Sequence, residues 1–255
     1  MTAVTEAFTG WLISTLLLSL RLSPVLTFAP PFTLVRMPPL IRVLLGLGLS
    51  GVMAASLPIG VGPPAEAGPL VAAAMRELFM GSTFVLAFQL AFGAIYVAGR
   101  TIDVQAGFGL AAVVDPSSKA QIPLVGSIYA YAAGAVFFGL NGHLDLMRII
   151  AASLEAVPLG QAMLPQDLAP LTAFLGAVFA IAFGVAGGVI LMLFLADIAI
   201  SLLSRTAPQM NVLVLGFQVK TILLMVALPL TLGVSAALLA RMSSTILQAL
   251  PALVA

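Results

Sequence analysis

The sequence predicts an all-α membrane protein of about six long hydrophobic helices that form membrane-derived hairpins. Hydrophobic residues fill 62% of the 255 positions and charged residues only 7%, whereas soluble domains carry about 25% charged residues. Charge-free runs of roughly 20 residues, which is the length that crosses a hydrocarbon core, recur along the chain. Clusters of proline and glycine separate these runs, as expected of connections between helices.

The first half of the chain contains three predicted long helices, near residues 7–35, 40–57 and 70–99. The clusters "FAPPF", "MPPL" and "LPIGVGPP" mark their connections, because proline lacks a backbone donor and breaks a helix. Arg21 interrupts the first apolar run, and the third contains Arg76 and Glu77. Because neighbouring positions do not face each other on a helix, these last two charges are not expected to pair.

The second half contains three more predicted long helices, near residues 120–141, 169–204 and 210–241. Small residues recur every four positions in the first two of these helices, as in Gly126, Ala130 and Gly134. Such a stripe allows close approach of a second helix, from the same chain or from another subunit. Between them, residues 144–157 have an apolar stripe and predict a short amphipathic helix at the membrane interface.

Positive charges predict the orientation of the helices. Five Lys and Arg residues fall in the connections near 36–42, 100–119 and 204–211, and two fall on the opposite side. Since cytoplasmic loops carry the excess of positive charge, both termini are predicted to lie outside the cytoplasm.

The composition argues against enzymes and nucleic-acid-binding proteins. The net charge is +1 and cysteine is absent, so neither a basic surface nor a thiolate site is expected. The single histidine, His143, leaves little material for a metal site and no Ser–His–Asp set. A P-loop and a GxSxG elbow are also missing from the sequence, so we predict no cofactor and no enzymatic activity.

Several charged residues interrupt the apolar runs, where an unpaired charge costs about 2.5 kcal/mol or more. Arg21 and Lys220 each stand within such a region, and Asp197, Ser201 and Arg205 share one helix face through their spacing of four. Two interpretations remain open for these residues. In the first, they pair with each other or extend to the membrane–water interface within this chain. In the second, they line a water-filled path or a contact between subunits.

The segment "AGFGLAAVVDPSS" at residues 106–118 fits neither a membrane span nor a solvent loop. It is too short to cross a bilayer and too apolar to be exposed to water. From the residues alone, a re-entrant or static packing element is as good an interpretation as a moving one.

Four blocks of the sequence, in order along nearly the whole chain, resemble the FliR family of flagellar export proteins, which also includes the SctT proteins of virulence type III secretion. Each block would be weak evidence alone, but their order makes the resemblance specific. The matching residues are Arg21, Ser23-Pro24, Pro30, Pro38 and Arg42; Ala98-Gly99, Ile102-Asp103, Gln105, Gly107-Phe108 and Asp115-Pro116; Gly142-His143, Ser153, Pro158 and Gly160; and Arg205, Pro208-Gln209, Asn211-Val212, Gly216 and Lys220.

The resemblance implies a core subunit of the flagellar export gate, present as one copy with FliP and FliQ homologues and wrapped by an FlhB homologue. Residues 1–165 are expected to be FliP-like and residues 166–255 to form a FliQ-like hairpin. The loop near 104–122 is expected to plug the pore through which unfolded flagellar proteins pass. The implied plug residues are Ala106, Gly107, Phe108, Gly109, Leu110, Val113 and Val114; the implied interface or buried polar residues are Arg21, Asp103, Asp197, Arg205 and Lys220.

The resemblance also implies a location in the bacterial inner membrane and the flagellar basal body, with the assembled complex partly on the periplasmic side. The expected partners include membrane lipid and exclude nucleic acid. Two alternatives remain: the equivalent subunit of a virulence injectisome, and a secondary transporter that acts alone. Transporters usually show internal repeats, and the two halves of this sequence show only a loose one.

Overall fold

The computed structural model of the chain describes residues 2–56, 67–108, 123–162, 167–207, 209 and 211–254. Within these ranges the regular structure is helical throughout, with a short 3₁₀ helix at Phe32–Leu34. The α-helices are α1 (Thr2–Phe28), α2 (Pro39–Ser56), α3 (Ala67–Gln105), α4 (Leu124–Gly139), α5 (Gly142–Ala156), α6 (Ala169–Thr206) and α7 (Val212–Val254).

Five of the described helices, α1, α2, α3, α6 and α7, are long and apolar enough to cross a membrane. The consecutive helices α4 and α5 bend by 69° at their junction and count as a sixth candidate if the pair forms one broken span. These numbers confirm the predicted all-α class with about six long hydrophobic helices.

Several helix ends differ from the sequence-based prediction; helix α3, for example, continues to Gln105 rather than ending near residue 99. Helix α1 ends at Phe28 rather than near residue 35, because the following pair Pro30-Pro31 cannot continue its hydrogen bonding. Helix α7 continues to Val254, well beyond the predicted end at residue 241. The charge of Arg241 marks the end of an apolar run, but a charged side chain does not by itself end a helix.

The chain divides into two compact units. Unit 1 comprises Met1–Leu90, Phe137–Leu175 and Ser244–Ala255, and unit 2 comprises Ala91–Val136 and Gly176–Ser243. Helices α3, α4, α6 and α7 therefore contribute residues to both units. The expected likeness of residues 1–165 to FliP and of residues 166–255 to FliQ stays a prediction.

The core of unit 1 is built from α1, α2 and an aromatic cluster. Gly46 of α2 lies so close to Ser23 of α1 that an added methyl group would be 2.4 Å from the Ser23 hydroxyl. The rings of Phe32, Phe88 and Phe137 meet edge to face, which is a favoured arrangement of aromatic pairs.

In unit 2, the side chains of Val189, Leu193 and Leu224 are fully or almost fully buried. Small residues bring α6 and α7 together, since Gly188 lies opposite Thr231. The small-residue stripe of α6 thus contributes at least in part to packing within the chain.

Candidate functional site

The predicted plug segment begins directly after α3, in unit 2. Ala106, Gly107 and Phe108 lie in the described part of the chain, whereas Gly109, Leu110, Val113 and Val114 lie outside the described residues. Ala106 is fully buried, and the Phe108 ring lies 6.3 Å from the Phe217 ring of α7 in an edge contact. The start of the segment is thus fixed against α7.

A glycine is required where the chain leaves α3. Gly107 has a φ of 89°, a left-handed conformation that glycine adopts without strain. Its N–H donates to the carbonyl of Val104, and the N–H of Phe108 donates to the carbonyl of Asp103. This pair of hydrogen bonds is the Schellman arrangement, which satisfies the last carbonyls of a helix and stops it sharply.

The two ends of the predicted plug segment lie side by side within unit 2. Both carboxylate oxygens of Asp103 accept the N–H of Val125 at 3.2 Å, and Asp103 is only 6% exposed. An added methyl group at Gly99 would lie 2.3 Å from the Cα of Gly126, so the backbones of α3 and α4 are in contact here. Asp103 therefore caps the start of α4 and joins it to the end of α3.

Lys220 of α7 binds the end of α3, next to the contact of Asp103 with α4. Its ammonium group donates to the carbonyl of Gln105, the last residue of α3, at 3.0 Å. It also pairs with the carboxylate of Asp197 on α6. Since the Lys220 side chain is 17% exposed, this cation is held mostly out of water by two acceptors on separate helices.

Arg205 is not part of this arrangement in unit 2. It is exposed and lies in the last turn of α6, where a positive charge interacts favourably with the helix dipole. The predicted polar residues of unit 2 thus separate into a cluster at the loop base, formed by Asp103, Asp197 and Lys220, and one exposed residue at a helix end.

Arg21 is the centre of a buried polar network in unit 1. Its guanidinium binds both carboxylate oxygens of Glu77, at 2.6 and 2.9 Å, and both side chains are fully buried. It also donates to the Ser153 hydroxyl and the Val157 carbonyl, each at 3.0 Å. The Glu77 carboxylate further accepts the N–H of Gly160 at 2.7 Å. A two-pronged ion pair with these extra hydrogen bonds compensates much of the desolvation of both charges.

The partner of Arg21 was not identified from the sequence. A buried arginine needs an anionic partner, and Glu77 is an acidic residue inside the third apolar run. This requirement is the signal in the sequence that could have identified the pair. Its neighbour Arg76 donates to the carbonyl of Gly160 at 3.0 Å, so the two adjacent charges contact the same glycine without pairing with each other.

Comparison with known proteins places the chain in a family. Residues 12–246 match the family described as bacterial export proteins, family 1. The chain belongs to this family. The matched range includes the complete loop base and the Arg21 network, so both features lie within the part shared with other bacterial export proteins.

Individual relatives are named as flagellar biosynthetic proteins or as surface presentation of antigens proteins. The chain is 28% identical to the flagellar biosynthetic protein FliR of Escherichia coli over 224 residues, which are 88% of this chain and 81% of the relative. It is 33% identical to FliR of Bacillus subtilis over 151 residues, 58% of each chain. The surface presentation of antigens protein SpaR of Salmonella typhimurium is 28% identical over 171 residues, 64% of each chain. Family membership, together with the five or six candidate spans among the described residues, makes the chain a multi-pass membrane component of a secretion apparatus.

Proposed function

We propose that the chain is a core subunit of the flagellar type III export gate. It forms, with FliP and FliQ homologues, the inner-membrane channel through which unfolded flagellar proteins are secreted. One copy enters each gate, an FlhB homologue associates with it, and the assembled complex lies partly on the periplasmic side in the basal body. The observation that carries this proposal is the family match over residues 12–246.

The loop after α3 is the pore plug of this proposal. A plug must stay attached while its tip moves, so its base has to be firm and its body pliable. The contacts of Asp103 with Val125 and of Lys220 with Gln105 supply the firm base. Residues 106–114 are apolar and contain two glycines. An apolar constriction excludes water and ions until a substrate displaces it.

The charged residues have different roles in this proposal. Lys220 and Asp197 hold the loop base against α6 and α7, and Asp103 joins its two ends. Arg21 stabilises unit 1 through Glu77. Arg205, which is exposed at the end of α6 and lies outside the loop base, is the position assigned here to a contact with another subunit.

An equivalent subunit of a virulence injectisome is the second candidate function. The match to SpaR of Salmonella typhimurium, over 64% of the chain, favours it. The longer match to FliR of Escherichia coli, over 88% of the chain, makes the flagellar role the preferred one. Loss of the gene should abolish flagellar filaments in the first case and leave motility intact in the second.

Purification of the tagged chain, co-expressed with the FliP and FliQ homologues of the same genome, tests the proposal. Native mass spectrometry of the complex should give one copy of this chain with several copies of each partner. A stable monomer or homodimer that binds neither partner and catalyses saturable solute uptake would instead indicate a secondary transporter and overturn the export role.

A further inference from the structure

The side chain of Phe108 lies just beyond the hydrogen bonds that end helix α3. The N–H groups of Gly107 and Phe108 donate to the carbonyls of Val104 and Asp103, so the backbone is held up to the Phe108 nitrogen. Ala106 is fully buried, whereas Phe108 is half-buried. These hydrogen bonds do not fix the side chain of Phe108, and its position therefore depends on the contacts of its ring.

Phe217 of α7 provides such a contact. Its ring lies 6.3 Å from the Phe108 ring at an interplanar angle of 69°, which is the edge-to-face arrangement that aromatic pairs favour. Phe217 is 43% exposed. Because neither ring is fully buried, the contact lies at the margin of the unit 2 core.

The spacing of residues along α7 directs Phe217 towards the end of α3. Phe217, Lys220 and Leu224 are three and four residues apart and therefore share one helix face. Lys220 donates to the carbonyl of Gln105, and Leu224 is fully buried. This face of α7 thus contacts the start of the predicted plug at two places, at a carbonyl through Lys220 and at a ring through Phe217.

The two contacts differ in the cost of breaking them. Lys220 binds Gln105 and Asp197 through an ammonium group on a side chain that is only 17% exposed, and separation would leave this poorly hydrated cation without its acceptors. The ring contact contains no hydrogen bond, so its loss leaves no polar group unsatisfied. An edge contact between two rings shifts the equilibrium between joined and separated states by about two- to tenfold. The ring contact is therefore the weaker of the two and separates first.

We propose that Phe217 is a positioning residue for the plug. Its ring holds Phe108 in the resting position, and Phe108 leaves this ring when the pore opens, while Lys220 keeps the end of α3 in place. This inference rests on the proposed export function, because it assigns a resting position to the plug described there. It divides the contacts of α7 with this region into a permanent one and a releasable one.

Ion leakage through the assembled gate tests this role. The chain is co-expressed with its FliP and FliQ homologues, and depolarisation of cells shown to contain the complex is measured with a potential-sensitive dye. Phe217→Ala should raise the leak about two- to tenfold, because it removes the ring contact. Phe217→Trp retains an aromatic ring and should leak about as little as the unaltered chain. Phe194→Ala is the matched control, because Phe194 of α6 is also in unit 2 and is 52% exposed.

A crosslink between the two positions gives a second test. The chain contains no cysteine, so the variant Phe108→Cys/Phe217→Cys can be joined with a short bis-methanethiosulfonate reagent, and the product followed by mass spectrometry. The joined gate should stop secreting flagellar subunits, and reduction of the linker should restore secretion. Phe108→Cys/Val219→Cys is the control pair and should join poorly, because Val219 lies on another face of α7.

Three results would overturn the proposal: equal leaks in Phe217→Ala and Phe194→Ala, equal leaks in Phe217→Ala and Phe217→Trp, or unchanged secretion by the fully joined gate. Deletion of residues 106–111 separates this inference from the proposed function. If the deletion leaks and Phe217→Ala does not, the plug stands and the role of Phe217 is wrong. If neither variant leaks, the plug itself is contradicted.

Discussion

The guanidinium of Arg21 is fully buried, as is the Glu77 carboxylate, and it has an acceptor for each of its three nitrogens. Glu77 in turn accepts from the backbone of Gly160, whose φ of 76° favours glycine. Residues from α1, α3, α5 and the connection after α5 thus share one buried polar site. Such a network contributes to specificity of packing, because an apolar alternative would leave several of these groups unpaired.

Arg21→Met should lower the free energy of unfolding by about 3–5 kcal/mol, because it leaves the Glu77 carboxylate buried without a partner. Arg148→Met is the matched control: its ion pair with Asp145 is exposed, so its loss should cost no more than about 1 kcal/mol. Both values can be measured by denaturant titration in detergent. The double variant Arg21→Met/Glu77→Leu should recover only part of the loss, because it removes the unpaired carboxylate but leaves the Val157 carbonyl and the Gly160 N–H without these partners. Equal effects of Arg21→Met and Arg148→Met would contradict the assigned role of the network.

At the scale of secondary-structure elements, the contact of α3 with α4 decides where the predicted plug begins and ends. Gly99 and Gly126 allow the two backbones to touch, and Asp103 joins the end of α3 to the start of α4. Lys220 then fixes this junction to α6 and α7. Residues 103–108 and 123–126, which flank the predicted plug, are therefore held by contacts with α3, α4, α6 and α7.

Gly99→Ala should destabilise unit 2 by about 1–3 kcal/mol, because its methyl group would overlap the Gly126 backbone. Gly93→Ala, six residues earlier in the same helix, has no atom within 4 Å of the added methyl group. It should be neutral or stabilise the protein by up to about 1 kcal/mol, since alanine favours helix over glycine. Thermal unfolding of both variants in detergent makes the comparison, and a Gly99→Ala variant as stable as Gly93→Ala would exclude the close contact.

The sequence predicts the helices and the charged residues that interrupt them better than it predicts the groups with which those charged residues pair. Apolar runs bounded by proline predicted the long helices, because burial in lipid requires such runs. The ends of α1 and α7 differ from the prediction. The pair Pro30-Pro31 ends α1 earlier than the apolar run suggests, and α7 continues past the charge of Arg241. Arg21, Asp103 and Lys220 stood out as expensive polar residues. Their respective partners are Glu77, Val125 and Gln105, each at least 22 residues away in the sequence. Helix spacing alone does not predict pairs so distant in sequence.

At the scale of the whole molecule, family membership and a membrane-spanning composition agree on an export component. Residues 12–246 match the bacterial export proteins, and the described residues contain five or six candidate spans. In our account, the firm loop base and the apolar segment beyond it form one device: a plug that remains attached while substrate passes. The export role and the plug are separable, because a gate could assemble normally and leak when its plug is lost.

Ion conductance of the assembled gate tests the plug most directly. Deletion of residues 106–111 removes the start of the apolar segment but leaves Asp103, Gln105 and Lys220 in place. Cells that assemble this variant with its partners should become depolarised, as measured with a potential-sensitive dye, whereas cells with the unaltered chain should keep their membrane potential. An unchanged potential in cells shown to contain the normally assembled complex would contradict the plug.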